Sequence, residues 1–184
     1  MLARVEIPET KPAIELVDGR LVQKLSGKRR HQELEFRWTV ALKEWSQGRG
    51  DAYHECRHEF TAPGHRFASL VPDVAYMSPE ALDALGPAAA EQPPRAPEIA
   101  VEILSSAEPE RVLTWKIGAY LAAGTSVVFV VDPPRRTVIA HALDPATGSP
   151  QVTRFGPGET VAHVALPGFA YPIDAMFEGL YLGE

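Results

Sequence analysis

The chain contains a single cysteine, Cys56, and no asparagine. One thiol excludes an intrachain disulfide and any Cys-x-x-Cys metal or redox motif, so the fold must be stabilised by its core rather than by staples. Long apolar runs are missing too. No stretch approaches the roughly 18 consecutive apolar residues of a membrane span, and no basic segment followed by an apolar one opens the chain. These absences lead to the expectation of a cytoplasmic protein with no membrane partner. Positive charge is also in short supply: 18 Lys and Arg face 24 Asp and Glu, a formal net charge of -6. That balance excludes indiscriminate attachment to nucleic acid, which leaves a basic footprint, but not a local basic grip.

What is present is an ordinary globular composition, 45% hydrophobic over 184 residues, enough for one domain with a full core. Residues 1–184 are read as a single domain. Within it, four charges stand where apolar residues are expected. Pro109 to Ala123 reads as a helix stopped by Gly124. At about 100° per residue, Val112, Leu113, Tyr120 and Ala123 share a face with Lys116 at its centre. Glu15, Asp73 and Glu102 each interrupt a short apolar run, in Ala13-Ile-Glu-Leu-Val17, Val71-Pro-Asp-Val-Ala-Tyr76 and Ile99-Ala-Val-Glu-Ile-Leu104. A buried carboxylate is paired, protonated or bound to a cation. Three acids and one lysine do not cancel by pairing, so carboxylates converging on a divalent ion beside an ammonium would resolve the imbalance. A Lys116–Glu102 ion pair with the other acids at solvated strand ends remains the alternative.

Around these residues, Glu15 to Gln23 reads as a hairpin turning at Asp18-Gly19. A helix from about Arg30 to Gln47 follows, with Leu34, Trp38, Ala41, Leu42 and Trp45 on one face and Phe36 and Val40 opposite, a second apolar side that offers a subunit contact. Ala52–Phe60 and Leu70–Met77 read as strands, and residues 79–97 as a short helix and an irregular loop. A strand at Glu98–Leu104, the Lys116 helix and a strand at Val127–Asp132 form a βαβ unit with parallel strands. Short strands near Val138–His141, Val152–Phe155 and Val161–Val164 make an antiparallel extension before a small helix near Ile173–Gly179. The expected architecture is α/β, a mixed sheet flanked by helices. Lys24, Lys28, Arg29 and Arg30 cluster just before or at the start of the first helix, where the macrodipole disfavours cations. Gripping a phosphate backbone would account for them, and so would a solvated basic loop. His31 either joins that contact or packs.

In order along the chain, Ile14-Glu-Leu-Val-Asp-Gly-Arg-Leu-Val22, His31-Gln32, Val71-Pro-Asp-Val-Ala75, Val101-Glu-Ile-Leu-Ser105, Lys116 with Tyr120, and Val131-Asp-Pro133 resemble the Uma-two family, placed in the PD-(D/E)XK nuclease superfamily. The resemblance runs from about residue 10 to residue 178. It implies a restriction-endonuclease-like fold in which Asp73 and Glu102 hold Mg2+ or Mn2+ and Glu15 supplies a third acid. It further implies that the superfamily's lysine, absent at position 104 where Leu stands, has its counterpart in Lys116. The implied activity is hydrolysis of DNA phosphodiesters, and cutting two strands favours a homodimer. Two rivals accompany this reading. One is a binding or regulatory protein on the same fold. The other is a zinc metalloprotease using His54-Glu55-x-x-His58, which requires a helix, whereas residues 52–60 alternate as a strand does.

Overall fold

The computed structural model describes residues 7–24, 28–105 and 109–180. A hairpin opens it, β1 (Ile14–Val17) and β2 (Arg20–Gln23), paired antiparallel with Val17 opposite Arg20. Asp18 and Gly19 fill the two-residue turn at φ 49° and 73°, the left-handed geometry that matches strand twist. The long helix α1 (Arg29–Ser46) leads to β3 (Asp51–His54), β4 (His58–Phe60), β5 (Ala68–Leu70) and β6 (Val74–Met77). Two short helices, α2 (Pro79–Leu85) and α3 (Pro87–Ala90), precede β7 (Ile99–Ile103), α4 (Glu110–Ala122) and β8 (Val127–Asp132). The chain continues with β9 (Thr137–Leu143), β10 (Pro150–Phe155), β11 (Thr160–Val161), β12 (Tyr171–Pro172) and α5 (Ile173–Phe177).

Six strands form the main sheet in the order β10-β9-β8-β7-β6-β3. The expected βαβ unit is there: β7 and β8 are parallel with α4 between them, and every other pairing of this sheet is antiparallel. A four-stranded sheet, β2-β1-β5-β4, and the β11-β12 pair complete the topology. The pleat assigns the faces of the main sheet. Ile99, Val101 and Ile103 of β7 and Val127, Phe129 and Val131 of β8 join Leu34, Trp38 and Leu42 of α1 and Ile173, Met176 and Phe177 of α5 in one core. Trp38 anchors it, with ring centroids 5.2 Å from Phe129 and 5.6 Å from Tyr171. On the opposite face, Ala100 and Val128 pack with Val112, Ala119 and Tyr120 of α4 and with Val17, Phe60 and Leu70 of the smaller sheet. Glu102 has the parity of Ala100, so it points to the α4 side.

Two expected strands are each divided. Residues 52–60 break because Glu55 takes a left-handed conformation at φ 52°, so β3 ends in the main sheet and β4 begins in the small one. Residues 70–77 break because Val71 gives its N–H to the Glu15 carboxylate at 2.7 Å and Pro72 has none to give. With two successive ladder bonds withdrawn, the chain passes from one sheet to the other, and Asp73 lies at the crossing. The strand expected over Val161–Val164 is reduced to the two residues of β11. Phe36, on the side of α1 that offers a subunit contact, is 62% exposed in the single chain, and Val40 is half-buried.

Candidate active site

Asp73 is 2% exposed and sits one residue before β6. Because Val74 pairs with Val101, Asp73 comes opposite Glu102, and its Oδ2 accepts the Ile103 backbone N–H at 2.6 Å. Its Oδ1 accepts from the Lys24 ammonium at 2.6 Å, and Lys24 also donates to the Val71 carbonyl at 2.8 Å. Lys24 reaches this point because it extends the β1–β2 ladder by one residue, its N–H bonded to Ala13 O at 2.8 Å. Although burial opposes the charged form of each, Lys24 and the His31 contact hold the Asp73 carboxyl well below the usual carboxylate range. Asp73 and Glu15 likewise hold the Lys24 amine above its ordinary value against burial.

Glu102 lies deeper. Lys116 donates to its Oε2 at 2.6 Å and the Tyr120 hydroxyl to its Oε1 at 3.1 Å. Residues 116 and 120 are four apart, so α4 presents both to one carboxylate. Lys116 also stands 3.3 Å from Glu15 Oε1, the oxygen that holds Val71 N–H, and its side chain is 1% exposed. Both alternatives read from the sequence are thus partly met: Lys116 and Glu102 form an ion pair, and Glu15 and Asp73 are buried beside it rather than solvated. Burial pushes the Glu102 carboxyl up to about 8, with Asp73 and Glu15 adding to the rise that Lys116 opposes. Burial and the same carboxylate raise the Tyr120 hydroxyl well above its ordinary value, so it acts as a donor.

A third group comes from α1. The His31 ring places Nε2 3.1 Å from Ile103 O and 3.4 Å from Asp73 Oδ2, and Nδ1 3.2 Å from Glu35 Oε1. Burial disfavours its charge, but contacts with Asp73 and Glu35 outweigh that and raise it to about 10, so it is an imidazolium at neutral pH. Counted at formal charge, Glu15, Glu35, Asp73 and Glu102 exceed Lys24, Lys116 and His31 by one. His31, Glu35 and Asp73 each offer a ligand atom within 4.8 Å of the others, a grouping of the kind that holds a divalent ion once the imidazolium gives up its proton. Glu102 and Glu15 stand outside that grouping, with Lys116 bonded to both.

The residues expected to meet nucleic acid separate. Lys28 and Arg29 are exposed and Arg30 is half-buried, and with Glu33 and Arg37 they line a concavity of about 500 Å³ at the start of α1. The N-cap residue Lys28 makes no side-chain capping bond, and no acid lies in the first turn of that helix. Lys24 and His31 turn inward to Asp73. Two contacts are not expected from the sequence analysis: Glu35 as a member of the cluster, and Lys24 on Asp73 rather than in the basic grip. Glu35 was detectable as the i+4 partner of His31, and Lys24 as the residue in phase with Val22, which packs toward the core. The His54-Glu55-x-x-His58 pattern falls across a bend between two strands, with no helix over residues 51–60. His58 is fully buried, held by the Arg95 carbonyl at 2.8 Å, and burial lowers its pKa to about 4. The zincin geometry is therefore absent and the metalloprotease reading is withdrawn.

A family model described as "Uma2: Putative restriction endonuclease" matches residues 2–175. A crystal structure described as "a putative nuclease belonging to DUF820 from Anabaena variabilis" superimposes with a TM-score of 0.73 at 21% identity, covering 93% of each chain. At that identity the likeness establishes the fold. No curated protein matches the sequence. Among the described residues, no helix is long and apolar enough to cross a membrane.

Proposed function

The chain belongs to the Uma2 family, and from that membership and the Asp73 cluster we propose that it is a divalent-metal-dependent endonuclease hydrolysing DNA phosphodiesters. The observation that carries the reading is the convergence, at one end of the interior strands β6 and β7, of Asp73, Glu102, His31 and Glu35 with two lysines. An all-oxygen and imidazole donor set of this kind suits Mg2+ or Mn2+. Asp73 would hold the ion with His31 and Glu35 on the α1 side, and Glu102 would join them as its carboxylate exchanges Lys116 for the ion. When bound, the ion would lower the pKa of a coordinated water and neutralise charge gathering on the scissile phosphate.

The protein's own groups do the rest. The Ile103 N–H fixes the Asp73 carboxylate, leaving Oδ1 directed toward Lys24. Lys116 and Tyr120 fix Glu102, and Lys116 spans to Glu15, so the buried lysine is a positioning residue for the acids. Lys28, Arg29 and Arg30 would hold the DNA backbone. In the reaction a water oxygen bonds to phosphorus while the bond to the leaving ester oxygen breaks, and the water's proton passes to that oxygen or to solvent. Cutting both strands with one site per chain calls for two chains, and exposed Phe36 with Val40 offers the contact. Phe36→Glu should then lower the sedimentation coefficient of the wild-type species.

The direct test is plasmid nicking in Mg2+ and in Mn2+ with wild type, Asp73→Asn and Glu102→Gln. Wild type should relax the plasmid, and each variant should lose at least about 100-fold in rate. Equal rates in all three would remove the catalytic assignment and leave a DNA-binding protein.

A further inference from the structure

Two lysines serve this cluster, and they differ in what they can reach. Lys116 has a side chain that is 1% exposed, bonded to Glu102 and in ion contact with Glu15, under the α4 turn that also carries Tyr120. A phosphodiester cannot approach an ammonium enclosed on that side without opening the helix from the sheet. Lys24 has a side chain that is 14% exposed, and it lies at the end of β2, where the chain runs on to Lys28, Arg29 and Arg30 at the start of α1. Its ammonium bonds to Asp73 Oδ1, the oxygen left over once Ile103 N–H has taken Oδ2.

We propose that Lys24, rather than Lys116, is the lysine that contacts the scissile phosphate. The assignment rests on the nuclease reading above and deepens it. An ion accepted by Asp73 would compete with the ammonium for Oδ1, and Lys24 would turn from the carboxylate to the phosphate oxygen beside it. The tethered cation therefore has two partners in succession. It neutralises Asp73 before metal and substrate arrive, and afterwards it opposes the charge that grows on the non-bridging oxygens in the transition state. No proton or covalent bond changes hands at Lys24. Its contribution is electrostatic, and arginine can supply part of it, though with a planar fork in place of a point charge.

The test compares wild type, Lys24→Met and Lys24→Arg in three measurements: single-turnover cleavage of a labelled duplex at saturating enzyme with Mn2+, duplex affinity in EDTA, and melting temperature with and without Mn2+. Lys24→Met should lose about 100-fold or more in single-turnover rate, with Lys24→Arg intermediate. Duplex affinity in EDTA should change by less than about threefold, because without the metal Lys24 stays on Asp73 and the grip comes from other cations. Stabilisation by Mn2+ should persist or grow in Lys24→Met, since nothing then competes for Asp73 Oδ1. A wild-type rate in Lys24→Met would reduce Lys24 to a structural partner of Asp73. A loss confined to affinity, or the disappearance of Mn2+ stabilisation, would assign it to DNA grip or to building the metal site instead. If wild type itself binds Mn2+ and does not cleave, the nuclease reading fails and the role of Lys24 fails with it. If wild type cleaves and Lys24→Met does too, only the lysine assignment is lost.

Discussion

At the scale of single residues, the cluster is held together by charge in a place where charge is costly, and its pH behaviour follows. His31 is raised from 6.5 to about 10, so the folded state keeps a proton that the unfolded chain releases. The associated stability is complete below pH 6.5 and is lost as pH rises through about 10. Glu102, raised from 4.5 to about 8, acts in the same direction over a lower window, losing stability between those values. Asp73, held below its ordinary value, acts oppositely: its stabilisation is present above pH 3.8 and fades as pH falls through the depressed value. Without added metal, the melting temperature should therefore fall steadily between about pH 6.5 and 10, and His31→Gln should flatten the upper part of that decline. An unchanged slope in the variant would show that the imidazolium is not coupled to folding. Lys116→Met goes further, because it strands two carboxylates that are each 2% exposed. Chemical denaturation should register a loss of about 3–5 kcal/mol. Tyr120→Phe, which removes only one donor from Glu102, should cost about 1–2 kcal/mol.

At the scale of elements, the site depends on where strands stop. The hairpin at Asp18-Gly19, α1, the β7-α4-β8 unit and the burial of Lys116 were legible because each rests on local signals: turn residues, helical periodicity, and an apolar run bounded by Pro109 and Gly124. The division of residues 52–60 and 70–77 was not. Periodicity records which side chains face a core but not that two halves of one run face different cores. The switch at residues 71–73 is made by a long-range bond from Val71 N–H to Glu15, 56 positions away. For the same reason Glu15, Asp73 and Glu102 can be recognised as misplaced charges, while nothing local ties Lys24, which the sequence groups with the basic cluster at the start of α1, or Glu35 to them. The path from α1 into β3 offers a test of element docking. Gly50 sits at φ 82°, and a Cβ there would collide with the Met77 carbonyl oxygen, whereas Gly48, at φ 78°, faces open space. Both alanine substitutions meet a left-handed backbone, costing on the order of 1 kcal/mol. Gly50→Ala must in addition push β3 from β6, so its urea midpoint should fall well below that of Gly48→Ala. Equal midpoints would mean that the β3–β6 edge yields freely.

At the scale of the whole molecule, the proposed activity on DNA would require a chain of net charge -6 to bind a polyanion through a small part of its surface. The cations that could serve are gathered at one end of α1: Lys28 and Arg29 exposed, Arg30 half-buried, and Arg37 lining the same concavity. Arg37 is already committed to Glu33 at 2.8 Å and to the carbonyls of Met176 and Glu178 at 3.0 and 2.8 Å, so it contributes more to docking α5 than to gripping a phosphate. Lys28, Arg29 and Arg30, with the α1 macrodipole behind them, set the scale of the interaction. Each phosphate neutralised contributes about -0.9 to the slope of log affinity against log salt. The slope for one chain on duplex DNA in EDTA should thus be about -3, shallow for a DNA-binding protein, and a two-chain complex engaging both patches should roughly double it. Lys28→Met with Arg29→Met should reduce the slope by about 2 per chain while leaving the melting temperature unchanged, because neither side chain is buried. A slope unaffected by that pair would place the DNA on another face of the fold, away from Asp73, and the path from the basic end of α1 to the buried acids would no longer describe how substrate enters.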